Sequence, residues 1–261
     1  METSKRTIHS DYYIGISIFF LSYFLLFYFF LMEDKLFSND GINYYNILNN
    51  SNSLSDLVKN NNQTFMPTFL ILSFYIREGL HVTSFQAAVL YSLFFGAAIP
   101  VVVYFTSLKI FRSQALSLAS ALLTLLNPSY RDVVCNYLRD SVSLLLVSIS
   151  VMFFVFNYYR PKTFYISSAI IIIAFSLGFR YENIEFFFLF LFLQFLLIIF
   201  DSQNTIRKKI KGISKLLFVY AISFITGLSI VFFVILPTSF FTISRLSLIF
   251  EKCFNKFFEQ I

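Results

Sequence analysis

Seven apolar runs decide what this chain can become: Ile14–Met32, Ser84–Phe105, Gln114–Leu126, Ser141–Phe156, Thr163–Phe179, Ile184–Phe200 and Leu216–Pro237. A helix needs roughly 20 apolar residues to cross the hydrocarbon core of a bilayer. The third run is short, and Pro128 ends its regular part. A water-soluble domain needs a polar surface, and the residues for one are missing: 57% of the chain is hydrophobic, 13% is charged, and phenylalanine alone occurs 38 times. The expected fold is therefore all-α, a polytopic membrane helix bundle of about seven transmembrane helices.

Between the first and second runs lies the one long polar stretch, Ser38–Thr64. Its apolar residues Tyr44, Ile47, Leu48, Leu54, Leu57 and Val58 recur at helical spacing around an Asn-rich break, which predicts short amphipathic helices in the first outer loop. Phe65–Ile76 is too short to cross alone and is bounded by Pro67 and Arg77–Glu78, so it reads as a re-entrant or interfacial helix. Lys5 and Arg6 ahead of the first run, with no small-residue cleavage site after it, predict an uncleaved anchor. One transmembrane domain is expected over 1–261, with a basic cytoplasmic loop at 201–215, a last span at 216–237 and a short outer tail at 238–261.

Orientation follows from lysine and arginine. With the N-terminus inside, the inner segments carry Lys5, Arg6, Lys109, Arg112, Arg160, Lys162, Arg207, Lys208, Lys209, Lys211 and Lys215, clustered in short connections. The basic residues thus read as topology signals, and no nucleic-acid partner is expected. Cys135, Cys253, His9 and His81 make no metal-binding spacing.

This orientation brings charge to one outer face from three connections: Asp40 from the first loop, Arg131, Asp132, Arg139 and Asp140 around the start of the fourth span, and Arg180, Glu182 and Glu185 from "FRYENIE". Charges at a membrane edge point to function. Each also has a plainer reading. Asp40 fits a turn or helix cap, Arg139–Asp140 a topology signal with a capping acid, and Arg180–Glu182 a surface ion pair worth little. Tyr44 fits an interfacial aromatic belt. No P-loop, GxGxxG or HExxH occurs. Carboxylates with arginines at such a face suit an anionic, lipid-linked substrate, because arginine grips phosphate bidentately and a partly desolvated carboxylate can act as general base. The same acids could hold a divalent metal against a phosphate, with Asp40 and Asp132 as the candidates.

At these residues the sequence resembles the GT-C superfamily of membrane glycosyltransferases, in particular the family 39 type that includes the protein O-mannosyltransferases. The likeness covers about 14–200 and rests on an ordered set of elements. Asp40 and then Tyr44 stand in the first outer loop, and a Pro-led apolar helix follows, "MPTFLILSFYIREGL". A proline follows the third span in "LLNPSYRDVV", the fourth opens with "YLRDSVSLLL", and the fifth ends in arginine in "SLGFRYEN". The resemblance implies a hexosyltransferase in a bacterial cytoplasmic membrane, moving sugar from a polyprenyl-phosphate donor to a glycan, lipid or protein acceptor at the outer face. It implies that Asp40 is the catalytic acid, and that Arg139, Asp140, Arg180, Glu182 and Tyr44 bind donor phosphate or substrate. Gly41 stands where many members carry a second acid, and the further spans and soluble domain of full-length members have no counterpart here. That fits a minimal or truncated member. Two other functions share the multi-span architecture: a polysaccharide polymerase or O-antigen modification protein, and a transporter or flippase. Transporters usually carry polar or Gly/Pro breaks at mid-span, whereas these span centres are Phe, Leu and Ile with a few serines.

Overall fold

A computed structural model describes the backbone of residues 2–32, 39–60, 68–135, 140–200 and 206–231, with side chains for 10–32, 42–57, 68–135, 140–180, 182–200 and 209–231. Among the described residues there are eleven α-helices, one 3-10 turn and no strand. They are α1 (Glu2–Met32), α2 (Asn39–Asn49), α3 (Leu54–Asn60), α4 (Thr68–Leu80), α5 (Ser84–Phe111), α6 (Gln114–Leu126), α7 (Pro128–Cys135), α8 (Asp140–Tyr159), α9 (Thr163–Ser176), α10 (Ile184–Phe200) and α11 (Ile206–Ile230). Among the described residues each of the seven apolar runs carries a helix, and the protein is a membrane helix bundle. Four helices are long and apolar enough to cross a bilayer, within α1, α5, α8 and α11, while α6, α9 and α10 are shorter apolar helices.

Several boundaries move. α1 begins well before Ile14, so Ser10 and Asp11 are helical. The fifth run breaks at Ser176 into a turn over 177–179 instead of continuing as helix to Phe179. The basic stretch expected as a loop is helical from Ile206. Lysine and arginine are good helix formers, and Ile206, Ile210, Ile213 and Leu217 repeat at helical spacing among them. Of the helix expected over Phe65–Ile76, the described part forms α4, from Thr68 on to Leu80, and the polar stretch after the first span forms α2 and α3. The tail 238–261 and the end of the last span lie outside the described residues.

Contacts divide the chain into two compact units, Met1–Asn62 with Phe69–Ser148, and Gln63–Thr68 with Ile149–Ile261. In the first unit α1 and α5 are antiparallel. Tyr12 meets Phe105, Phe19 meets Phe94 and Phe30 meets Phe85, with ring centroids 6.1, 5.5 and 6.1 Å apart. α1 buries Ile18, Ser22, Leu26 and Phe30, one residue every four, and leaves Phe20, Phe24, Phe27 and Leu31 open. Only 28% of this span is buried within protein, which suits a helix whose other faces lie against lipid.

α5 starts at a capping box, Thr83 with Gln86, and ends at Arg112 in the left-handed conformation (φ 53°). Its interior contains Pro100. Proline has no N–H, so the carbonyl four residues earlier, Gly96, loses its helical donor. α7 supplies the replacement: the Tyr130 hydroxyl donates to Gly96 O at 2.7 Å, buried from solvent. Gly96 also clears the space for this approach, since a Cβ there would collide with Val134. α7 itself starts at Pro128 after the α6 cap Asn127, a proline at the first helical position, where no donor is needed.

The second unit is built on α9 and α11. Gly227 brings α11 against the backbone of α9, where a Cβ would collide with Ile171 O and lie 2.6 Å from Ala174 Cβ. Small residues at such crossings allow the close helix approach on which packing in lipid depends. α10 packs beside them through Phe187 on Phe224 (4.6 Å) and stacks Phe190 on Phe154 of α8 (4.6 Å). Lys209 donates to Ile199 O at 2.6 Å, satisfying a carbonyl at the end of α10.

Candidate functional site

α2 carries Asp40, the acid of the polar stretch after the first span. Tyr44 and Leu48 recur four apart and are buried, while Ile42 faces out, which gives the helix an apolar underside. The Tyr44 ring meets Phe69 of α4 edge to face at 4.5 Å. This is the geometry of an anchor for α2. Asp40 is the second residue of α2, a position where negative charge complements the helix dipole. Its carboxylate lies outside the described side chains.

The far end of α2 is held by Arg77 of α4, a residue the sequence marked only as a helix boundary. Its guanidinium donates to Leu48 O at 2.6 Å and to Ser51 O at 2.7 Å, and its Nε donates to Glu78 Oε1 at 2.9 Å. The Phe74 ring lies 4.8 Å beneath. The two carbonyls belong to the last turn of α2 and the bend after it, where helical donors run out. Arg77→Met removes both donors and is expected to destabilise the protein by about 1.5–3 kcal/mol, the usual worth of a charged hydrogen bond. Arg77→Lys, with a point charge in place of a planar fork, recovers part of this. Thermal unfolding in detergent checks both. An unchanged Met variant means that α2 is held by its apolar face alone.

Around the start of the fourth span, Asp140 is the first residue of α8, half-buried. Arg139 lies outside the described residues. Asp132 is exposed on α7. Tyr130 is buried beside it, and burial pushes its phenol well above the usual value, so the hydroxyl stays a neutral donor to Gly96 at any physiological pH. α7 lies along the C-terminal half of α1. Arg131 sits over the Phe29 ring at 4.4 Å, and the Cys135 thiol is 3.8 Å from Leu26 O.

The helices that carry Asp40, Asp132 and Asp140 follow, or pack near, the C-terminal end of α1. α2 follows Met32, α7 packs near Phe29, and α8 starts shortly after Cys135. The opposite end is a different polar cluster. There Asp11 accepts from Gln114 Nε2 at 2.7 Å and from the Tyr104 hydroxyl at 3.4 Å, near Lys109 and Arg112. Between the two ends an apolar cavity of about 540 Å³ opens among α1, α4 and α5, lined by Phe19, Tyr23, Phe24, Ile76, Tyr91 and Phe95. Its walls suit a hydrocarbon chain and offer nothing to a polar substrate.

Arg180 and Glu182 belong to the second unit. Arg180 Nε stands 3.6 Å from Glu182 Oε2, with Arg180 41% exposed. At that exposure the pair adds little stability. The turn that carries it is fixed by Asn183, whose buried amide donates to Ser176 Oγ at 2.9 Å.

Among the described residues no three His, Cys, Asp or Glu side chains gather as metal ligands. Some span hydroxyls bond to their own helices: Thr106 to Val102 O, Thr124 to Ser120 O, Ser148 to Leu144 O and Thr226 to Ile222 O, all at 3.0 Å or less. Others do not: the Oγ atoms of Ser22, Ser92 and Ser150 are buried without a hydrogen-bond partner among the described residues. No protein-family model and no curated protein sequence matches the chain.

Proposed function

We propose that this protein is a membrane glycosyltransferase that moves a sugar from a polyprenyl-phosphate donor to an acceptor hydroxyl at the outer face of a bacterial cytoplasmic membrane. The observation that supports the reading is that helices bearing Asp40, Asp132 and Asp140 follow, or pack near, the C-terminal end of α1, beside arginine-bearing α7, with an apolar cavity in the same unit. The first-loop, "MPTFLILSFYIREGL" and "LLNPSYRDVV" motifs that resemble the family 39 glycosyltransferases belong to the first unit, whereas "SLGFRYEN" belongs to the second. The apolar Phe, Leu and Ile that dominate the span centres weigh against transport.

In this reaction the acceptor oxygen forms a bond to the anomeric carbon as the bond from that carbon to the phosphate oxygen breaks. Asp40 takes the hydroxyl proton. The departing polyprenyl phosphate keeps the electron pair, and arginine stabilises its new charge, Arg139 being one candidate. Purified protein in lipid, incubated with a panel of labelled polyprenyl-phosphate sugars and acceptor glycans, should release polyprenyl phosphate from one of them. Intact donor across the panel, from protein that remains folded, would refute the reading.

The N-terminus lies in the cytoplasm in this scheme, supported by Lys209, Lys211 and Lys215 in the first turns of α11 and by Lys109 and Arg112 at the α5 end opposite the acids. A cysteine placed at Asn49 should then react with an impermeant thiol reagent in intact cells, and one at Gln203 should not. The inverse labelling pattern sinks both the orientation and the outer site.

A further inference from the structure

Arg131 has a setting unlike that of the other arginines at the polar ends of the helices. Arg77 spends its nitrogens on two carbonyls and a carboxylate, and Arg180 faces Glu182. Arg131 is half-buried, its guanidinium carbon 4.4 Å from the Phe29 ring centroid. Its Nε is buried, yet no acceptor among the described residues takes its proton. A buried donor without an acceptor is unfavourable in any protein, and more so on a charged group. The ring beneath it compensates for charge but not for the in-plane N–H, because an aromatic face attracts the cation from above and accepts nothing in the guanidinium plane.

The local fold explains why the arginine is held this way. α7 is eight residues long, and Tyr130 and Val134, four apart, bury its apolar side against Gly96 of α5. Arg131 follows Tyr130 directly, so it emerges at the margin of the buried side, where Phe29 of α1 lies. The guanidinium is thus fixed at the end of the unit to which Asp132 and Asp140 also belong.

We propose that Arg131, seated on Phe29, is a phosphate-binding residue whose guanidinium donates to a phosphate group of a membrane lipid. A guanidinium edge presents two parallel N–H groups that match two phosphate oxygens, and lipid phosphate is the oxyanion that reaches such a position from the bilayer. Two lipids carry this chemistry: the polyprenyl-phosphate donor of the proposed reaction, and an anionic phospholipid headgroup. The donor assignment, but not the phosphate site, rests on the glycosyl-transfer reading.

The test is equilibrium binding to full-length protein in phosphatidylcholine nanodiscs, so that turnover is not needed. The probes are polyprenyl monophosphate, phosphatidic acid, and a neutral polyprenol of the same chain length. Wild type is expected to bind polyprenyl monophosphate at least about tenfold more tightly than polyprenol. Arg131→Gln should abolish that difference and leave polyprenol binding unchanged. Arg131→Lys keeps the charge but not the Nε donor, and Phe29→Leu keeps the arginine but not its seat. Each should lose part of the preference. Unfolding temperatures identify any variant that has merely lost its fold, and the milder Lys and Leu variants then carry the test. An equal, Arg131-dependent preference for phosphatidic acid assigns the site to bulk headgroups, and a preference for polyprenyl monophosphate assigns it to the donor. Undiminished phosphate preference in folded Arg131→Gln overturns the proposal and leaves Arg131 a cation–π strut. Arg131-dependent binding without sugar transfer would retain the phosphate site and discard the enzyme.

Discussion

Asp40→Asn protein is expected to transfer sugar roughly 10²–10⁴-fold more slowly than wild type, the usual effect of removing a general base. Asparagine matches aspartate in size and in preference for helix starts, so α2 should form as before with Tyr44 on Phe69. Unfolding temperature and donor binding should therefore stay close to wild type while turnover falls. This split separates chemistry from capping. Asp40 stands in the first turn of α2, where an acid has a structural use of its own. A variant that turns over normally makes Asp40 a helix-start residue and removes the base from the proposed mechanism.

Gly227→Ala is expected to destabilise the protein by about 1–3 kcal/mol, the range for overpacking a close contact. The direction runs against helix propensity, which favours alanine over glycine by about 1 kcal/mol. The added methyl has no room, because it meets the Ile171 carbonyl, part of the backbone of α9, and cannot be accommodated by a side-chain rotation. Gly212 on the same helix is the control. A Cβ there meets only Ile198, at 3.7 Å, an ordinary contact. Gly212→Ala should be neutral or slightly stabilising. Thermal unfolding of the two variants in one detergent checks the pair, and equal behaviour would mean that α9 and α11 do not approach this closely.

The helices were legible because lipid selects them by one property, a long enough apolar run, and among the described residues each of the seven runs carries a helix. Ends were less so. Ser10 and Asp11 stand ahead of the first apolar run but extend α1, because polar residues continue a helix once a span has nucleated it. The basic stretch before the last span looked like a loop because its charge was conspicuous and its isoleucine spacing was not. Of the site, the acids could be listed from the sequence, since carboxylates near spans are rare. Arg77 could not, because its partners are the backbone carbonyls of Leu48 and Ser51, and a carbonyl has no letter in the sequence. The Arg131 seat was hidden for a related reason: Phe29 is one of 38 phenylalanines, and only the packing of α7 on α1 selects it.

The proline in α5 has a consequence for how the molecule is made. α5 is long and apolar enough to enter the bilayer by itself, and it leaves the ribosome before α7. Until α7 is synthesised, the Gly96 carbonyl faces hydrocarbon without a donor, a deficit of several kcal/mol in that solvent. Only docking of Tyr130 closes it. α5 is therefore left incomplete at birth and is finished by a later segment, so a chain interrupted between the two carries an open acceptor inside the membrane. Assembly of the first unit thus has an intrinsic direction, from the early spans toward α7, and an unsatisfied backbone group is what marks the unfinished state.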